Sequence, residues 1–246
     1  VLFTVLMCAH RDDDFVMPAV QSVLQQTDAN FELLIVLNGC PDSLPARLQA
    51  LGDPRIVLHR TAIRQLGFNL NVGAQLARGQ YLVRFDADDL CHPERLQRTR
   101  EILAQHPDAD LVAGSCRRIS VTGEVIGHLD VGGDWRRALN WKNPFVHPAV
   151  AIRRDCLLRM RGYAGGLHSE DYELWLRMAE EPDIRVVTSS FPMIDYRTSP
   201  QQASGTVRGY AEVAGYMWTS FLARPRPGRL LGVMVAAGKV VRAWLR

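Results

Sequence analysis

"RGQYLVRFDADDLCHPERL" (residues 78–96) decides how the rest of the chain is read. Tyr81, Leu82, Val83 and Phe85 form a run that reads as a buried strand, and it ends in Asp86, Asp88 and Asp89. Like charges that close repel one another, so the cluster needs a compensating cation or full solvation. Its place in the fold bears on which. Upstream, strand and helix patterns alternate. Residues 1–9 are a nearly unbroken apolar run, as in a strand covered on both faces. In residues 14–26, Val16, Val20, Val23 and Leu24 recur at helical spacing. Residues 32–37 are a second buried strand, closed by the turn signal "NGCPD". A helix over 44–51, a strand over 55–59 and a helix over 69–78, with Gly79 at its C′ position, lead to the strand at 81–85. This βαβαβαβ order predicts a parallel sheet with helices on both faces. Ligands in such sheets bind at the carboxyl ends of the strands, where "DADD" stands.

Beyond it the pattern changes. Pro93 is placed to open a helix through Gln105. Strand-like pieces at 110–119, 147–152 and 185–189 then mix with helices, the clearest over 169–180 with Ser169 as its N-cap. No linker, repeat or low-complexity segment precedes "RPRPG" at 224–228. We therefore expect one α/β domain over residues 1–223, more antiparallel in its second half, and a tail over 224–246.

With 246 residues, 47% of them hydrophobic and 22% charged, the chain can bury a substantial core. Its five cysteines are scattered and form no CxxC pair, which argues against a zinc site or a disulfide framework and suits a reducing cytoplasm. The sequence does not begin with Met, and no apolar stretch approaches the roughly 20 residues needed to cross a bilayer. The net charge of +3 is uneven: residues 224–246 hold six basic and no acidic residues, so the remainder carries −3. A nucleic-acid-binding body does not fit that distribution.

Several chemistries place carboxylates at a strand end. A solvated turn, with one Asp capping the next helix, is the plainest. A calcium loop of the EF-hand type fails, because counting from Asp86 position 6 is Cys91 instead of Gly and position 12 is Gln97 instead of Glu. An aspartyl-phosphatase nucleophile usually follows the first strand, which here ends in "CAHRDDD". The remaining reading is a Mg²⁺ or Mn²⁺ site shared with substrate phosphate. A second pair, Glu170 and Asp171 in "GLHSEDYELWLRMAEE", opens a helix, where acidic residues also simply complement the helix dipole. A metal–diphosphate site together with a separate carboxylate is what sugar transfer from a nucleotide sugar requires.

At this point the chain resembles the family 2 inverting glycosyltransferases of GT-A fold, through four motifs in order across residues 1 to about 204. They are "TVLMCAHRDDDFVMPAVQSVLQQT", "FELLIVLNGCPD", "NLNVGAQLARGQYLVRFDADD" and "HPAVAIRRDCLLRMRGYAGGLHSEDYELWLRM". The resemblance implies a GT-A fold and a metal-dependent, hexosyltransferase-like activity. It implies Asp88 as metal ligand, Asp86 at the metal or ribose, Asp89 supporting the turn, and Asp171 as catalytic base with Glu170 beside it. It further implies a donor site of Ala9, His10, Asn38, Asn71, Asp86 and Arg197, with His10 stacking in the base pocket. His147 falls at an acceptor-side position. The donor would be a UDP-sugar, the cofactor Mn²⁺ or Mg²⁺, and the setting bacterial surface-polysaccharide or lipopolysaccharide assembly.

Some positions depart from the family pattern. Asn38 and Leu37 stand where it usually carries Asp, and Cys8 where Pro is frequent. The loop before Asn71 is shorter than usual, and the His that often follows Arg197 is absent from "DYRTSPQQAS". Trp175, Trp218 and Cys91 are expected in the core. A metal-dependent phosphoester hydrolase and a catalytically silent sugar-nucleotide scaffold remain as rivals.

For the tail, two arrangements are open. A helix from about Arg229 packs back on the body, or it lies in a membrane interface with its cations at anionic headgroups; we favour the second. That would hold the protein at the cytoplasmic face of the membrane, beside a lipid-linked acceptor.

Overall fold

Alternation within two strands sets the layers. In β1 (Phe3–Ala9) the side chains of Phe3, Val5 and Met7 enter one apolar layer and Leu6 the other. In β2 (Phe31–Asn38) Phe31, Leu33, Ile35 and Leu37 separate from Leu34 and Val36 in the same way. A strand covered on both faces needs an apolar residue at nearly every position, hence the unbroken runs. The computed structural model describes residues 1–198 and 206–245.

The further strands are β3 (Ile56–Thr61), β4 (Tyr81–Asp86), β5 (Leu90–Cys91), β6 (Leu111–Ile119), β7 (Val125–Leu129), β8 (Val150–Arg153) and β9 (Val186–Arg197). Their order in the sheet is β3-β2-β1-β4-β8-β6-β9-β5, with β7 paired to β6. β1 lies parallel between β2 and β4, and the register sets Cys8 level with both Val36 and Asp86. The carboxyl ends of the three central strands therefore open side by side. β8 runs antiparallel between β4 and β6, while β6 and β9 are parallel, so the sheet is mainly parallel as expected.

Helices α1 (Val16–Leu24), α2 (Ser43–Gln49), α3 (Leu66–Leu76), α4 (Arg95–Gln105), α5 (Trp135–Ala138), α6 (Arg154–Arg159), α7 (Glu170–Glu180), α8 (Val207–Ala223) and α9 (Pro227–Trp244) complete the described fold. The layer containing Phe3 is closed by α1, α2 and α4. That containing Leu6 is closed by α3, α6, α7 and part of α8. Trp175 of α7 is fully buried there, against Phe145 edge-on at 5.4 Å.

Several expectations are corrected. Helix α3 runs over Leu66–Leu76, earlier than residues 69–78, because Gln65 caps it by accepting from the Phe68 amide. Gly79 is no left-handed cap. It is needed because a Cβ there would lie 2.4 Å from the Thr4 nitrogen and 2.6 Å from the Phe3 carbonyl carbon. Residues 147–152 divide into a 3₁₀ turn at His147–Ala149 and the strand β8. The strand expected at 185–189 continues to Arg197, beside the aspartate cluster. Ser169 holds the N-cap position of α7, but its hydroxyl donates to the Gly209 carbonyl of α8 instead of capping. Trp218 is 48% exposed and not in the core. Helix α9 starts at Pro227 and folds back along α8, placing Gly232 against Met217. Arg229 enters the body to meet Glu180 of α7 at 3.1 Å.

Candidate active site

The three central strand ends share one cavity with the start of α7. Its volume is about 1530 Å³. Ala9 and His10 after β1, Asn38 at the end of β2, and Asp86 and Asp88 after β4 form one side. His147, Glu170 and Asp171 form the other. Asn38 is buried, and its Oδ1 has no hydrogen-bond donor among the described residues.

The aspartates are brought together. Asp86, Asp88 and Asp89 each offer an oxygen, all within 4.8 Å of one another. Beneath them lies Arg84, only 2% exposed, whose guanidinium donates to Asp86 and to the Phe85 carbonyl. Arg84 pairs with only one of the three carboxylates, which leaves the other two without an ion pair among the described residues. The pKa directions carry that imbalance. Burial, then the charge of Asp86, pushes Asp88 up to about 6. Burial, then Asp86 and Asp88, pushes Asp89 well above the usual carboxylate range. Asp89 Oδ1 accepts from the Arg197 amide at 2.8 Å, and its buried Oδ2 has no partner among the described residues. Hard oxygen donors clustered with excess negative charge and an unpartnered buried oxygen fit a divalent cation.

Arg197 serves the turn from below. Its Nε donates to the Asp88 carbonyl at 2.8 Å and its Nη1 to the Val121 carbonyl at 2.8 Å, while its guanidinium stacks over Phe15. It does not line the cavity, although Tyr196 and Thr198 on either side do. The rest of "DYRTSPQQAS", residues 199–204, lies outside the described residues. Asn71 is likewise outside the cavity wall. Its carboxamide is spent on the Tyr163 backbone, accepting from the amide at 2.8 Å and donating to the carbonyl at 2.9 Å. Cys91 is buried in the core, as expected.

On the other side Glu170 and Asp171 open α7, and both line the cavity. Burial, then the charge of Asp171, raises Glu170 to about 7. Burial also raises Asp171, opposed by two donors: Asn143 Nδ2 at 2.6 Å from Oδ2 and the Tyr172 amide at 2.7 Å from Oδ1. His147 is buried with Nε2 2.9 Å from the Tyr163 hydroxyl and Nδ1 3.6 Å from Glu170 Oε1. Burial and the Arg84 charge hold its pKa well below the usual value, so it stays neutral and makes no ion pair with Glu170.

Sequence reasoning missed Arg84, Asn143 and the wall that α8 and α9 contribute through Tyr210, Val213, Val235, Ala236 and Lys239. Arg84 had a signal: an arginine two residues before the first aspartate, inside an otherwise apolar strand. Nothing local marks Asn143, whose partner is 28 residues away.

Two carboxylate groups thus face one cavity at the ends of the parallel strands, and residues 4–165 match the profile of Glycosyl transferase family 2. The chain belongs to that family. It is similar to the O-antigen biosynthesis glycosyltransferase WbnJ of Escherichia coli, with 33% identity over 90% of this chain and 89% of the relative. Solved structures show the same fold. TarS (residues 1–349) of S. aureus with UDP-GlcNAc superposes with a TM-score of 0.72 at 13% identity, covering 99% of this chain and 81% of TarS. The mannosyltransferase PcManGT of Pyrobaculum calidifontis, with GDP-Man and Mn²⁺, gives 0.67 at 17% identity, covering 99% and 75%. The glycosyltransferase thus has the GT-A fold expected from its motifs.

Proposed function

We propose that this glycosyltransferase moves a sugar from a nucleoside-diphosphate donor, a UDP-sugar, to the hydroxyl of a lipid-linked glycan, with inversion, during bacterial surface-polysaccharide assembly. The observation that carries the reading is the single cavity joining the aspartate cluster to the acid pair. Asp88 and Asp86 would hold Mn²⁺ or Mg²⁺, which when bound neutralises charge developing on the diphosphate. Arg84 fixes Asp86, and Arg197 with Asp89 fixes the turn. His10 stacks on the nucleobase, and the unpartnered Asn38 Oδ1 accepts a ring N–H, which uracil supplies at N3 and cytosine lacks.

Asp171 is the base. Asn143 and the Tyr172 amide orient its carboxylate and keep it more acidic than burial alone would. It takes the proton of the acceptor hydroxyl as that oxygen bonds to the anomeric carbon. The bond from that carbon to the diphosphate oxygen breaks on the opposite face, and its electron pair leaves with the nucleotide. Glu170, with neutral His147 Nδ1 3.6 Å from its Oε1, adjoins the base and shares the last proton of the pair, which leaves near pH 7.

The setting is supported by the similarity to WbnJ, an O-antigen biosynthesis glycosyltransferase, and by the outer surface of the helical hairpin. No helix among the described residues is long and apolar enough to cross a membrane. Yet Trp218 and Leu222 of α8, and Leu230, Met234, Val241 and Trp244 of α9, are all exposed, while Arg229 turns inward. Arg224, Arg226 and Arg242 remain exposed, and residues 213–246 hold no acid. This inverted polarity suits an interfacial position at anionic lipid.

The test is incubation with UDP-GlcNAc, UDP-Gal, UDP-Glc and GDP-Man, with and without Mn²⁺, plus a bacterial lipid extract as acceptor. Metal-dependent, acceptor-dependent release of the nucleoside diphosphate is expected. Release of inorganic phosphate instead would return the site to the hydrolase reading.

A further inference from the structure

The loop between the acid pair and the hairpin carries an arrangement that sugar transfer alone does not require. Asn143 donates to Asp171, and two residues earlier the Trp141 carbonyl accepts from the ammonium of Lys239 in α9. Lys142 stands between them. Residues 141–143 span at most roughly 10 Å of chain. Lys142, Lys239 and Asp171 all line the one cavity. Of the 29 basic residues only these two are lysine. Lys239 is half-buried, and burial lowers its pKa with no carboxylate acting to restore it. A half-desolvated ammonium facing a cavity without a counter-charge is costly unless an anion arrives there. The donor diphosphate has its own place at the aspartate cluster. Val235 and Ala236, one turn before Lys239, continue the cavity wall as apolar surface, and the exposed face of the same helix carries the apolar stripe.

We propose that Lys239 and Lys142 form a subsite for the phosphate through which the acceptor sugar is joined to its lipid. The subsite rests on the reading of the protein as a transferase acting on a lipid-linked glycan. It places the phosphate on the far side of the acceptor sugar from the donor, with the lipid leading out along α9. Lysine meets phosphate as a compact point charge with rotatable donors, which suits a tether that shifts as the product leaves.

The experiment is calorimetric titration of the full chain with octyl diphosphate, with and without saturating UDP and Mn²⁺. Octanol and octyl glucuronide serve as the uncharged and carboxylate probes. Octyl diphosphate is expected to bind alongside UDP, octanol not at all, and octyl glucuronide at least tenfold more weakly. Lys239→Ala and Lys142→Ala should each weaken octyl diphosphate about tenfold, Lys239→Arg much less, and all should keep the parental UDP affinity as proof of folding. Displacement of octyl diphosphate by UDP, or parental affinity in both alanine variants, overturns the subsite. Glucuronide binding as tightly as the diphosphate overturns phosphate as its ligand. Failure of UDP to bind would instead count against the transferase reading, while the titration without nucleotide still tests the lysines.

Discussion

The two acidic groups of the cavity are perturbed by the same force and relieved differently. Burial raises Asp88 to about 6 and Glu170 to about 7. At the strand end the relief at hand is a cation: three carboxylates, one buried arginine, and an unpartnered Asp89 oxygen. At the helix end the relief is a proton, shared within a pair whose neighbours are a neutral histidine, a carboxamide and a backbone amide. On the proposed reading, the central strand ends therefore hold phosphate through a cation, and the helix start handles the proton.

The largest expected effect tests the proton side. Asp171→Asn keeps the volume and one of the two accepted hydrogen bonds while removing the acceptor of the proton. Transfer should fall by about 10²–10⁴-fold with the donor Kd unchanged. If Glu170→Gln is the more damaging change, the roles within the pair are reversed.

On the cation side, Asp88→Asn should weaken Mn²⁺-dependent nucleotide binding at least about tenfold and leave the Tm within a few degrees of the parent, since removing one of three crowded carboxylates relieves repulsion. Nucleotide titrations at several Mn²⁺ concentrations measure it. Unchanged metal dependence would make the cluster a turn and remove one half of the contrast.

How far each half could be read from sequence follows from the same difference. The donor half was legible because a parallel sheet buried on both faces writes itself as apolar runs, and because strand ends place Ala9, Asn38 and Asp86 side by side. The rest of the site, including two residues expected at the donor, is settled by contacts between distant segments. Asn71 stands in the matching motif, yet its amide is claimed by Tyr163, 92 residues later. Arg197, expected in the donor site, lies under the aspartate turn and does not line the cavity. Helix α8 escaped notice because its exposed positions Ala211, Gly215, Trp218 and Leu222 are apolar or small, so amphipathic periodicity gives no polar outer face. The same inversion explains why Trp218 was assigned to the core.

A subtler effect concerns pH. Because Glu170 holds its proton up to about 7, transfer should rise as pH increases through that value, when the pair loses its last shared proton. Glu170→Gln removes the neighbouring charge and should move this limb to lower pH by about one unit. Stability moves the other way. A carboxyl whose folded pKa lies above its unfolded one is neutral on both sides below about 4.5, so it makes no difference there; as pH rises from 4.5 to 7 the folded state loses relative stability, and the cost is complete above 7. Glu170→Gln should therefore be more stable than the parent at pH 8, by about 1–3 kcal/mol, with the gap closing at pH 4. Urea unfolding at the two pH values measures it, and an equal gap at both would sink the assignment.

The smallest change in the isolated protein is expected on the outer face of the hairpin. Met234 and Trp244 are 57% and 75% exposed, so Met234→Ser and Trp244→Ser remove little packing and should leave the Tm within a degree or two. Their effect should appear only with lipid. Each buried aromatic or long apolar side chain contributes about 1.5–3 kcal/mol at an apolar boundary, so the double variant should lose most of its co-sedimentation with anionic vesicles. The cations make a separable contribution: Arg242 adds about 1 kcal/mol near an anionic surface, Arg224 and Arg226 add less because they are exposed but face Glu180 at 3.0 and 3.6 Å, and high salt should weaken the parent's binding without abolishing it. Arg229 gives no such term, because it is tied to Glu180 inside the body. Parental sedimentation of the double serine variant would show that α9 is only a wall of the cavity, and the contrast between its two faces would then have to be explained by a protein partner.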